Sequence, residues 1–137
     1  MRRIVVFDTS TLFSGVGWRG NPYRCVELAR AGVVEGVTCQ ELLNELTEKL
    51  QVKLNFSAAQ VTDTVADLPG FLQVVTITNT LKFVVADPDD DKVLECAVVG
   101  GASHIITSDR HHLLPLGSYQ GISIISAAQF LTLVSIG

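Results

Sequence analysis

Long hydrophobic runs are missing from this chain. The first apolar stretch, residues 4–7, is cut off by Asp8, and no segment approaches the roughly 18 consecutive apolar residues that a membrane span needs. Met-Arg-Arg followed by so short an apolar stretch also falls short of a secretory signal, so a cytoplasmic protein with no membrane partner is expected. Cysteine is sparse. Cys25, Cys39 and Cys96 are far apart, odd in number and without a C-x-x-C pair, which argues for small core residues and against a zinc or redox site. Charged residues make up 18% of the chain, too few for disorder, while hydrophobic residues at 47% supply a core for one domain over 1–137. The basic excess common in nucleic-acid binders is lacking too, the formal charge being −4. That counts against a nucleic-acid partner unless the acids hold cations, which reverse the local field.

Repeats and low-complexity segments are also absent, and strand and helix signals alternate along the whole chain. Residues 3–7 read as a buried strand closed by Asp8. Asn21, Pro22 and Gly32 punctuate a helix over 22–31. Residues 33–37 are a short strand, after which Thr38 and Glu41 form a capping box for a helix to about Leu50. Ser57 and Gln60 form a second box, for a helix that Pro69-Gly70 stops. Residues 71–77 and 82–85 read as extended. Asp87-Pro88 opens a helix to about Val99, ended by Gly100-Gly101. Strands over 104–107 and 122–125 come next, and Ser126 and Gln129 cap a last helix over 127–134. Continuous apolar strands separated by helices predict a parallel sheet covered on both faces. Right-handed crossovers make it a three-layer α/β/α sandwich of about five parallel strands, with ligands outside the carboxyl ends of the strands.

That last rule makes the acids informative. Asp8 ends the first strand, Asp109 stands just after the strand 104–107, and Asp87, Asp89, Asp90 and Asp91 open a helix. Each has a structural reading: Asp8 and Asp109 as turn residues, Asp87 and Asp89 as partners of a helix N-terminus. Gathered on one sheet edge they would repel, and a divalent cation that prefers hard oxygen donors removes that cost. At about 100° per residue, Leu42, Leu43, Leu46 and Leu50 share one helix arc. Glu41 and Glu48 lie away from it; Glu45 borders it and can reach the sheet edge. Asp91 stands one turn before Leu94, with Val98 continuing the line, so Asp91 is taken as the inward ligand and Asp90 as second choice. Glu95 is read as a surface residue before a further cluster member.

Other patterns fail on inspection. Gly15-x-Gly17-x-x-Gly20 has the letters of a dinucleotide-binding turn but starts too far from the strand, and reads instead as a flexible loop near the site. The run from Asp87 lacks the glycine and the final glutamate of a calcium loop, Lys92 and Val98 standing there. Asp8-Thr9-Ser10-Thr11 lacks the second acid of haloacid-dehalogenase-type phosphatases. His104, His111 and His112 have no metal-ligand spacing with cysteine and read as surface or strand-end residues.

Together these segments resemble the PIN domain over essentially the whole chain. Ile4-Val-Val-Phe-Asp8-Thr-Ser is similar to the family's opening strand and first acid, and Glu41-Leu-Leu-Asn-Glu45-Leu to its second motif, with the acid at Glu45. Asp87-Pro-Asp-Asp-Asp91-Lys-Val-Leu is similar to the third, with the acid at Asp91, and Ile106-Thr-Ser-Asp109 to the fourth. The Asp-Pro-Asp-Asp-Asp-Lys form resembles a prokaryotic subgroup of toxins from toxin–antitoxin pairs, related to VapC. Ser10 stands where asparagine is common in that subgroup, and Glu95 where a small residue is usual; neither change removes a ligand. The resemblance implies hydrolysis of RNA with one or two Mg²⁺ or Mn²⁺ ions. Asp8 would be the central ligand, Asp91 and Asp109 would flank it, and Glu45 would bind an ion or orient the attacking water. Ser10, Thr107 and Ser108 would support the carboxylates, and Arg19, Lys92 and Arg110 would contact phosphates, with His111 near enough to Asp109 to touch bound RNA. An antitoxin and a homodimer are the implied protein partners, for which helices 22–31 and 39–68 offer apolar surface. The competing readings are a catalytically silent PIN-like module that binds RNA or protein, and a phosphoesterase acting on small molecules.

Overall fold

Side chains on the central strand point alternately to opposite faces, and this divides the core in two. Strand β1 (Ile4–Phe7) sends Val5 and Phe7 to one side of the sheet and Val6 to the other. The computed structural model describes residues 2–83 and 88–136. Behind Val5 and Phe7 lie α1 (Thr9–Gly17), α2 (Asn21–Arg30), most of the apolar arc of α3 (Gln40–Lys53), α4 (Ala58–Asp67) and α7 (Ala127–Ile136). On the other face, Val6, Val37, Ile105 and Ile124 pack against α5 (Pro88–Gly100) and the short α6 (Leu113–Leu116).

The sheet itself contains β2 (Glu35–Cys39), β3 (Leu72–Val75), β4 (His104–Ile106), β5 (Ser118–Tyr119) and β6 (Ile122–Ile125) beside β1, in the order β3-β2-β1-β4-β6-β5. All pairings but one are parallel, as continuous apolar strands with intervening helices require. The exception is the six-stranded sheet's edge, where β5 folds back antiparallel on β6. Nothing in the two-residue Ser118–Tyr119 segment signals a strand by periodicity, which is why the sequence pattern predicts only about five strands. Among the described residues no helix is long and apolar enough to cross a membrane.

Several local expectations change. Residues 9–17 form α1, with Gly15 and Gly17 inside it. A Cβ at Gly15 would come within 3.3 Å of Val26, so this glycine lets α1 and α2 approach. Strand β2 starts later than the sequence suggests and runs through Thr38, which is fully buried within it. Thr38 therefore caps nothing; Cys39 precedes α3 and makes no side-chain cap bond. Gly20, not Asn21, occupies the N-cap of α2, again with no side-chain bond. The Ser57–Gln60 and Ser126–Gln129 boxes both form, each with reciprocal side-chain and backbone bonds. Lys82 and Phe83 lie outside any strand, and the remainder of the 82–85 segment, like Asp87, falls outside the described residues. All three cysteines are buried and none is in a disulfide.

The seating of α5 decides where its acids stand. Leu94 and Ala97 are fully buried beneath it, and Gly100 lies against Val37 so closely that a Cβ there would sit 2.6 Å from Val37 Cγ1. The close approach fixes the height of the helix and hence of the acids on its first turn.

Candidate metal centre

Asp8 leaves β1 and becomes the N-cap of α1, its Oδ1 accepting the Ser10 N–H at 3.4 Å. Its Oδ2 accepts the hydroxyls of Ser10 (3.2 Å) and Thr107 (2.5 Å). Thr107 also accepts the N–H of Asp109 at 3.0 Å, so one hydroxyl ties together the carboxyl ends of the adjacent parallel strands β1 and β4. The Ser108 N–H donates to Ser10 Oγ at 3.4 Å and closes the same link. Thr107 and Ser10 thus bond Asp8 directly, and Ser108 is linked to it only through Ser10.

Asp109 opens the turn leading to α6. Its Oδ1 accepts the N–H groups of His111 and His112, and its Oδ2 that of Leu113. Burial penalises its charge most, but those donors and the nearby His112 outweigh the penalty and hold the carboxyl below its ordinary range. Glu45 behaves oppositely. Burial raises its pKa, the Thr9 hydroxyl bond at 3.0 Å pulls it back, and the charge of Asp89 raises it again. Its second oxygen, Oε1, is buried with no hydrogen-bond partner among the described residues. A buried carboxylate oxygen left in this way is costly in water-free surroundings and is satisfied by a cation.

These residues meet in one cleft of about 380 Å³, lined by Asp8, Glu45, Asp89, Asp90 and Asp109 with Lys49, His111 and His112. The third acid on that wall is Asp90. Asp91 faces elsewhere: its Oδ1 accepts the Phe83 N–H at 3.0 Å, and it lines a separate hollow with Asn79, Lys92 and Glu95. The helical spacing explains why. Asp90 stands above Val93, Leu94 and Ala97, all buried, whereas the line from Asp91 ends at Val98, which is 41% exposed. Apolar character at Val98 makes Asp91 look turned to the same face as Leu94; Asp91 is indeed buried, but beside Phe83 and Glu95 and not on the wall of the cleft.

The basic residues divide likewise. Lys92 pairs with Asp89 at 3.2 Å beside the Asp91 hollow. Arg19 lies over the ring of Tyr23, between α1 and α2, and is not among the residues lining the cleft. Arg110 is exposed next to Asp109. Two cleft residues carry no clear mark in the sequence. Lys49 is one turn beyond Glu45 and lines both the cleft and a neighbouring trough with Val52 and Lys53. The i, i+4 spacing from Glu45 is the one available signal. His112 is the other; its spacing to cysteine is uninformative because its partners are carboxylates.

Glu95 is a buried anchor, 6% exposed, and not a surface residue. It accepts the N–H groups of Thr78, Asn79 and Leu81 and the Thr78 hydroxyl. Asn79 in turn donates to Glu41 at 2.7 Å, so this strap joins the start of α3 to α5. Burial works against the charge of Glu95, but the backbone donors together overcome it and keep its pKa below the ordinary value. A group with a depressed folded pKa stabilises above its unfolded pKa and loses that contribution as pH falls through the folded one. Glu95→Ala is therefore expected to cost about 2–3 kcal/mol at pH 7, because the strap's donors lose their acceptor. The gap between variant and wild type should shrink below about pH 4. Urea unfolding at both pH values checks this; a constant gap would show that the charge is irrelevant.

The donor set, carboxylates with one orphaned buried oxygen, suits a hard divalent cation. The family model for the PIN domain matches residues 4–111. No curated protein matches the chain.

Proposed function

The chain belongs to the PIN-domain family, and from that premise we propose that it is a metal-dependent ribonuclease acting as the toxin of a toxin–antitoxin pair. The family's nuclease-type fold supports this reading, and one observation carries it to this chain. Asp8, Glu45, Asp90 and Asp109 come from different elements and line a single cleft at the carboxyl ends of the strands. These four would hold Mg²⁺ or Mn²⁺, Asp8 centrally. Bound ions would supply an activated water and neutralise charge on the phosphate.

The chain's own residues prepare for that. Thr107 and Ser10 orient the Asp8 carboxylate. Thr9 holds one oxygen of Glu45, and the other, without a hydrogen-bond partner among the described residues, would bind a cation or position water. Lys49 and the exposed His111, both on the cleft wall, would contact the phosphates of single-stranded RNA, with exposed Arg110 beside them. Protein partners are part of the proposal. A groove between α1, α2 and α4, lined by Leu12, Val16, Tyr23 and Val26 and with Glu27, Arg30, Asp63 and Asp67 along it, is the surface we assign to antitoxin or dimer contact.

Purified protein should cleave labelled single-stranded RNA with Mg²⁺ or Mn²⁺ and stop when the ion is chelated. RNA retained on the protein but left intact with either ion would favour the silent binding module. Intact RNA alongside dephosphorylated free nucleotides would favour the small-molecule phosphoesterase.

A further inference from the structure

We infer that His112 is a metal ligand that biases this centre toward transition-metal cations over Mg²⁺. The inference rests on reading the cleft as a cation site, as proposed above, but adds a donor of another chemical kind. His112 immediately precedes α6, and its Nδ1 lies 3.3 Å from Asp90 Oδ2 and 3.7 Å from Asp109 Oδ2. One ligand atom from each of Asp90, Asp109 and His112 falls within 4.8 Å of the others. Atoms that share one ion at about 2.1 Å lie roughly 3–4 Å apart, so this triangle needs little adjustment to close on a cation.

The placement is fixed by independent parts of the chain. Asp90 is set by the seating of α5 on the sheet. His112 is set by the turn that Asp109 organises, since the His112 N–H itself bonds Asp109 Oδ1 at 3.3 Å. The other histidines are placed differently: His104 is engaged with Ser103 at 2.7 Å, and His111 is exposed. Glu45, whose Oε1 is buried without a hydrogen-bond partner among the described residues, lines the same cleft and is a further oxygen donor nearby.

An imidazole changes which ion such a set prefers. Mg²⁺ favours oxygen ligands and keeps much of its water, whereas imidazole nitrogen favours later first-row ions, in the order Mn²⁺, Co²⁺, Zn²⁺. A site made of carboxylates alone would separate these ions less.

The test is calorimetric titration of RNA-free protein with Co²⁺ and, separately, Mg²⁺ at one fixed pH. Wild type is compared with His112→Ala and His112→Asn. Co²⁺ affinity should fall about tenfold or more in both variants while Mg²⁺ affinity stays within about twofold. The visible absorption of bound Co²⁺ should change at the same time. Unchanged Co²⁺ affinity would overturn the inference, as would equal losses of both ions, which mark a disturbed fold. A gain for both ions would overturn it too, since that is what removing a histidine that only pairs with the acids produces. Selectivity shifting as described in a protein that cleaves no RNA would defeat the ribonuclease reading alone. Metal-dependent cleavage with no shift would defeat this inference alone.

Discussion

Asp8→Asn is expected to lower metal-dependent RNA cleavage at least about a thousandfold, the equivalent of ~4 kcal/mol of transition-state stabilisation, and to leave the fold intact. The two effects separate because asparagine keeps the shape of the carboxylate and loses its charge: the Ser10 and Thr107 hydroxyls that donate to Oδ2 can turn to accept from the amide NH₂. As N-cap of α1 the carboxylate accepts the Ser10 N–H, which the amide oxygen of asparagine also does. As the central acid of the cleft it supplies charge, which asparagine does not. Removing one negative charge from a set that includes Glu45, Asp90 and Asp109 also relieves repulsion when no cation is bound. The melting temperature in chelator should thus hold or rise while activity disappears. Activity within about tenfold of wild type would mean that the carboxylate is a cap and nothing more.

Asp90→Asn should match that loss, at least about a thousandfold, while Asp91→Asn stays within about tenfold. These neighbours are a sharp pair because both are buried and both sit on the first turn of α5. Only their directions differ. Asp90 lines the cleft with Asp8 and Asp109, and Asp91 accepts the Phe83 N–H on the opposite flank. The amide oxygen of an asparagine at 91 still accepts that N–H, so the small expected effect is mainly structural. Rates measured on one RNA at saturating Mn²⁺ decide it. The reverse ranking would move the third acid to Asp91.

Much of this is legible in the amino-acid sequence. Apolar runs bounded by caps and glycines mark the strand–helix alternation, and the Ser57–Gln60 and Ser126–Gln129 boxes form where their letters fall. Asp8, Glu45 and Asp109 can be singled out because each stands beside a recognisable strand end or apolar arc. Three features escape for physical reasons. Helix α1 is short and glycine-bearing, and its signal is packing against α2, which sequence spacing does not show. Choosing between Asp90 and Asp91 requires knowing that Val98 is exposed, and apolar residues on a helix flank are common without being buried. Glu95 is buried by a strap whose donors are backbone N–H groups, and backbone donors leave no trace in side-chain identity.

Anomalous scattering from crystals soaked in Mn²⁺ tests the shared-cation claim most directly. A peak coordinated by oxygens of Asp8, Asp90 and Asp109 and by His112, with Glu45 bound to it or to one of its waters, is the expected result. A peak held by Asp91 and Glu95, or no ordered ion in the cleft at millimolar Mn²⁺, would contradict it.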